Sequence, residues 1–103
     1  MPCGVPRPYG RHMQTYVVER YLTGWTGPEV AALLDRLDAL APDFLARAVT
    51  YVTSIVLDAD ETCLSVFRGP DADEIRLVNL HFDLPTDRVV AAPLVAAHHG
   101  DRT

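Results

Sequence analysis

The chain has 103 residues, 49% of them hydrophobic, and a net charge of -5, the composition of one globular domain with a core of its own. The acidic balance speaks against a nucleic-acid or anionic-membrane surface, where basic residues cluster, and no apolar run approaches the length of a membrane span. All nine basic residues are Arg and none is Lys, which reads as codon bias in a high-GC bacterium and not as a binding signature. The opening MPCGVPRPYGRH lacks the apolar stretch of a signal peptide, so the cytoplasm is the expected compartment.

Residues 1–12 hold three prolines, two glycines and almost nothing to bury, and read as a disordered extension. The domain is expected over 13–92, with 93–103 as a C-terminal tail. Gln14–Leu22, aromatic and β-branched, reads as strand one. A helix follows with a full start signal: Thr26 and Glu29 form a capping box, Trp25 and Val30 a hydrophobic staple. Val30, Leu33, Leu34 and Leu37 then keep the i, i+3, i+4, i+7 spacing. Pro42 breaks or bends this helix near Ala41, and Asp43–Arg47 has room for one more turn. Ala48–Leu57 and Thr62–Arg68 read as a hairpin joined by Asp58-Ala59-Asp60-Glu61. Asp71 and Glu74 open a second helix with Ile75, Val78 and Phe82 on one face; Leu84-Pro85 ends it, and Asp87–Ala92 is a short last strand. The order β-α-β-β-α-β predicts a ferredoxin-like α+β domain with an antiparallel sheet.

Strand side chains alternate between two faces, and here both faces are apolar. Strict alternation puts Tyr16, Val18 and Leu22 opposite Val17 and Tyr21, Val49, Tyr51, Ile55 and Leu57 opposite Val52 and Val56, and Cys63 and Phe67 opposite Leu64 and Val66. Two helices cover one side of such a sheet. Its other side calls for a second copy of the sheet, giving a homodimer of the dimeric α+β barrel kind, or for the C-terminal tail folded back through Leu94 and Val95.

VERYLTGWTGPEV (18–30), FRGPDADEIRLVN (67–79) and LPTDRVV (84–90) together resemble a small bacterial domain family of mostly unknown function, named after a nickel-responsive member. The resemblance covers 14–92. It implies the ferredoxin-like fold and the barrel-type dimer. It also implies nickel as a possible cofactor in nickel-binding members, held by a histidine pair on strand one and another histidine on helix two. The corresponding positions here are Glu19, Arg20 and Asn79, and Ser65 stands where a Cys is common.

Glu19 and Arg20 interrupt an apolar strand and point to opposite faces. Glu19 either lines the pocket enclosed by the dimer, as base, ligand or acceptor, or forms an intersubunit ion pair with an arginine such as Arg68 or Arg88. Tyr16, Tyr21 and Tyr51 are core residues with a polar tip, or orient a ligand beside Glu19. Asn79 lies next to the apolar stripe of its helix as a buried amide; His81 is a surface residue. His98 and His99 are the one adjacent pair able to bind nickel or zinc, but as two imidazoles in a tail they make a weak site. The acidic Asp58, Asp60 and Glu61 lack the length and glycine of a calcium loop and read as a solvated turn. Cys3 and Cys63 have no metal or redox spacing, and no nucleophile elbow, phosphate loop or dinucleotide fingerprint occurs.

Three functions follow. The first is a homodimeric binding protein for a divalent metal ion or a small molecule, with Glu19, Tyr21, Tyr51, Ser65 and Asn79 as candidate ligand-binding residues. The second is a cofactor-independent oxidation or isomerisation enzyme with Glu19 as general base in an apolar cavity. The third is a protein-interaction module whose sheet meets a different protein.

Overall fold

The computed structural model describes residues 13–92; the expectations placed on 1–12 and 93–103, including His98, His99, Leu94 and Val95, lie outside the described residues. The elements run β1 Gln14–Tyr21, α1 Gly27–Ala39, α2 Ala41–Ala46, β2 Thr50–Leu57, β3 Thr62–Gly69, α3 Ala72–His81 and β4 Arg88–Ala91. The strands form one antiparallel sheet in the order β2-β3-β1-β4, consistent with the ferredoxin-like arrangement expected from the element order. Among the described residues no helix is long and apolar enough to cross a membrane.

Local chemistry sets the element ends. Thr26 Oγ1 accepts from the Glu29 amide at 3.2 Å and Glu29 Oε1 accepts from the Thr26 amide at 2.8 Å, so two otherwise orphaned donors at the start of α1 are satisfied. Thr26→Ala should cost about 1 kcal/mol, seen as a lower urea midpoint with an unchanged slope. Pro42 sits in the first turn of α2, where its missing N–H does no harm; Leu40 is the cap shared by both helices. Asp71 accepts from the Glu74 amide at 2.9 Å and starts α3. The β2–β3 connection is a 3-10 turn over Asp58–Asp60 with Glu61 in the left-handed region at φ 49°. Glu61 is more than a solvated turn residue: its carbonyl accepts from the Leu22 amide at 2.7 Å and its carboxylate from the Gly24 amide at 3.3 Å, fastening the turn to the end of β1.

The core lies between the helices and the sheet face that carries Tyr16, Val18, Cys63 and Phe67, against Leu33, Leu37, Phe44 and Ile75. Phe44 is fully buried and meets Phe67 and Phe82 edge-on at 5.2 and 5.8 Å, the favourable geometry for aromatic pairs. At the end of β3 the packing is closer still. A Cβ on Gly69 would lie 2.8 Å from Ile75 Cδ1, so any larger residue there would have to push the end of the Ile75 side chain aside.

Strict alternation fails in one strand. Tyr51 pairs with Phe67 but Thr53 with Val66, leaving Val52 as an extra residue. Such a bulge sets two residues against one and shifts the two-residue period. Beyond it Ser54 and Val56 lie opposite Ser65 and Cys63, on the helix side with Tyr51. Ile55 and Leu57 lie opposite Leu64 and Thr62, on the other side, so Ile55 and Leu57 do not share the face of Tyr51. Strand two also starts two residues later than expected: Ala48 turns the chain at φ 63° and Val49 drops into the core before the ladder begins. The bulge adds to the apolar character of the open face, which carries Val17, Ile55, Leu57, Leu64, Val66 and Val90, with Ile55 49% exposed and Val66 buried.

Candidate functional site

β1 carries Glu19 and Arg20 back to back, so the sequence-predicted residues fall into two groups on opposite sides of the sheet. On the open face, Tyr21 donates to Glu19 Oε1 at 2.7 Å and Arg88 Nε lies 3.9 Å from Glu19 Oε2. Register produces this cluster: Glu19 is paired with Arg88 across β1 and β4, and Tyr21 is two residues on along the same face. The bond to the Glu19 carboxylate pushes the Tyr21 hydroxyl above its ordinary pKa. Of the two roles open to Glu19, the geometry brings in the arginine, and Arg88 of the same chain. With both oxygens engaged, Glu19 is poorly placed to act as a general base. The pair itself is worth little, because the Arg88 side chain is 62% exposed.

The other group surrounds Arg20, which is fully buried. Its Nε donates to Ser65 Oγ at 3.0 Å, Nη1 to the Pro85 carbonyl at 2.7 Å and Nη2 to Asn79 Oδ1 at 2.7 Å. Asn79 is held in turn by its own donation to the Ile75 carbonyl at 2.8 Å. From Ser65 a line of hydroxyls runs outward: Ser65 Oγ to Ser54 Oγ at 2.8 Å, then Ser54 Oγ to Tyr51 Oη at 2.7 Å. The ring of Phe67 lies 6.0 Å from the guanidinium carbon. No carboxylate of the described residues forms an ion pair with Arg20; three neutral oxygens stand in for water around the cation. Desolvation pulls its pKa down to about 10, against the opposing influence of Cys63, Tyr51 and Asp87. At neutral pH it stays charged.

The structure thus joins Tyr51, Ser65 and Asn79 and separates them from Glu19 and Tyr21. Arg20, the hub, and Ser54 are the residues that sequence reasoning missed. A signal for Arg20 existed: it is the single charge on the face Tyr16-Val18-Arg20-Leu22, and a buried guanidinium requires acceptors on neighbouring elements. Ser54 had no such signal, because the bulge hides which side it faces.

The same geometry tests the metal that the family resemblance implies. Of the three positions in question, Glu19 is on the open face, whereas Arg20 and Asn79 are bonded to each other on the helix side. A guanidinium has no lone pair to give and repels a cation. These residues do not fit a nickel ion. Among the described residues no group of three His, Cys, Asp or Glu side chains could hold a metal.

Two grooves flank this layer. One of about 300 Å³ runs between α1 and the segment after α3, past Trp25, Leu33, Arg36 and Pro85. The other, about 340 Å³, lies between α2 and β2 and is walled by Ala41, Pro42, Leu45, Thr50 and Tyr51.

These features define a small α+β domain with helices on one face of an antiparallel sheet and a cation built into the core. No family model matches the chain, and no curated protein matches it. Among solved structures, the crystal structure of SCO4226 from Streptomyces coelicolor A3(2) is similar, with a TM-score of 0.62 and 19% identity over 80% of this chain and 99% of that one. At that identity the likeness shows the shared fold.

Proposed function

We propose that this protein is a homodimeric binding protein for a small molecule. The open sheet face carries the proposal. Ile55 and Leu57 are exposed and Val17, Leu64 and Val90 half-buried, and around a buried Val66 they form an apolar layer that no described helix covers; water against such a layer is costly. A second copy is its cover: the same patch meets itself about a two-fold axis, apolar strands interdigitate, and the Glu19–Tyr21–Arg88 cluster supplies polar contacts beside them. The two grooves are lined mainly from the helix side, so a dimer of this kind leaves them open to a ligand. Their volumes sit at the lower end of the range for ligand pockets, roughly 300–1,000 Å³.

Sedimentation equilibrium tests the assembly. The expected mass is twice the 11.4 kDa of the chain; a monomer at all concentrations would overturn the proposal and favour an interaction module that meets a different protein. A divalent metal in place of the small molecule is tested separately. With His98 and His99 both changed to alanine, nickel, zinc, cobalt and copper should leave the thermal midpoint unchanged, since Arg20 already fills the inner position with positive charge. A saturable rise with any of them would reinstate the metal.

A further inference from the structure

The hydroxyl line between Arg20 and Tyr51 has a direction. A guanidinium only donates, so Ser65 Oγ spends a lone pair on Arg20 Nε. The positive charge then turns the Ser65 hydroxyl proton away from it, toward Ser54, because a dipole beside a cation points its oxygen inward. The competing acceptor near Ser65 is the Cys63 sulfur at 3.8 Å, a weak one. With Ser54 accepting from Ser65, its own proton is free for Tyr51 Oη, 2.7 Å away, a pair in which either oxygen can donate. Tyr51 is left as the end of the line, with no further hydrogen-bond partner among the described residues. Chains of this kind polarise each member, so the terminal donor is stronger than an isolated phenol.

The surroundings of Tyr51 say what such a donor meets. Its ring is one wall of the groove of about 340 Å³, whose other walls are Ala41, Pro42, Leu45 and Thr50. No charged side chain lines that groove. Burial raises the Tyr51 pKa, with Ser54 and Arg20 working against the shift and Asp38 and Cys63 adding to it, so the hydroxyl is protonated at neutral pH. An apolar trough with one phenol donor and no charged side chain in its walls suits an uncharged acceptor.

We infer that the groove between α2 and β2 binds a small, uncharged, apolar carbonyl compound, with Tyr51 Oη donating to the carbonyl oxygen and Arg20 orienting that donor through Ser65 and Ser54. Tyr51 is the contact residue; Arg20, Ser65 and Ser54 are positioning residues. The inference rests on the small-molecule reading above and deepens it, and it is independent of the dimer.

The test uses the full chain, with acetophenone as probe and ethylbenzene and benzoate as matched controls, followed by amide chemical shifts in two-dimensional NMR. Acetophenone should shift the amides of Leu45, Thr50 and Tyr51 in a saturable way. Ethylbenzene, which lacks the acceptor, and benzoate, which carries charge, should bind about tenfold more weakly, the value of one hydrogen bond near 1.4 kcal/mol. Tyr51→Phe keeps the ring and should remove the preference for acetophenone over ethylbenzene. Ser54→Ala cuts the line while leaving Tyr51 in place, and should reduce that preference without abolishing binding. No saturable shift up to the solubility limit, or equal affinity for acetophenone and ethylbenzene, overturns the inference. An unaltered preference in Tyr51→Phe also overturns it. Because the probe experiment and the mass measurement are separate, a monomer that still prefers acetophenone would remove the dimer alone, and a dimer that ignores it would remove this site alone.

Discussion

Replacing Arg20 with alanine should lower the unfolding free energy by about 3–5 kcal/mol, the range for removing one partner from a buried charged network. Three acceptors would be left facing a vacated space: Ser65 Oγ, Asn79 Oδ1 and the Pro85 carbonyl. Each orphaned polar group costs on the order of 1–3 kcal/mol, and the residual cavity adds to that. Arg20→Met should cost clearly less, because its side chain keeps much of the volume and the desolvation penalty leaves with the charge. Urea unfolding of the three proteins measures the order: native, then methionine, then alanine. An alanine variant as stable as the native chain would mean the guanidinium is not enclosed as described. The pH dependence has a definite sign. The folded pKa, about 10, lies below the ordinary guanidinium value, so between the two the unfolded chain binds the proton more tightly. The penalty for burying the charge is full below about pH 10 and eases above it, so this residue contributes no slope across neutral pH.

The second large effect is on assembly. Ile55→Glu should convert the proposed dimer to a monomer while leaving the single-chain fold intact. Ile55 is half-exposed in the single chain, so a glutamate there is solvated and costs roughly the 0.5 kcal/mol typical of surface changes. In the proposed dimer the same carboxylate would be pressed against Leu64 and the partner's apolar layer without a counter-charge, at a cost of several kcal/mol. Light scattering should give twice the chain mass for the native protein and a single mass for the variant, and circular dichroism should be nearly unchanged. The midpoint of thermal unfolding should rise with concentration in the native protein and lose that dependence in the variant. Equal masses for the two proteins would refute the assignment of this face to the joint.

Much of this was legible in the chain itself. The Thr26–Glu29 box, Pro42, the Asp71 cap and the turn between the hairpin strands are local signals, each decided by residues a few positions apart, and the helices start where those signals place them. The apolar character of both sheet faces was equally readable, because alternation is a property of a strand and not of its neighbours. Asn79 could be read as a buried amide beside an apolar stripe, and the opposed directions of Glu19 and Arg20 follow from their adjacency.

Pairing register and the bulge, by contrast, belong to two strands at once. A single extra residue at Val52 moves Ser54 to the side of Ser65 and sends Ile55 to the open face, and nothing within β2 announces it. The candidate residues therefore parted company: Glu19 and Tyr21 joined Arg88 on one side, while Tyr51, Ser65 and Asn79 gathered around Arg20 on the other. Short-range chemistry determines where elements begin, end and turn their apolar faces, because its free energies are paid between near neighbours. Which polar groups meet is a long-range matter, decided by how β1, β3, α3 and the Pro85 segment pack, and a buried charge finds its acceptors only once that packing has brought them within hydrogen-bond reach.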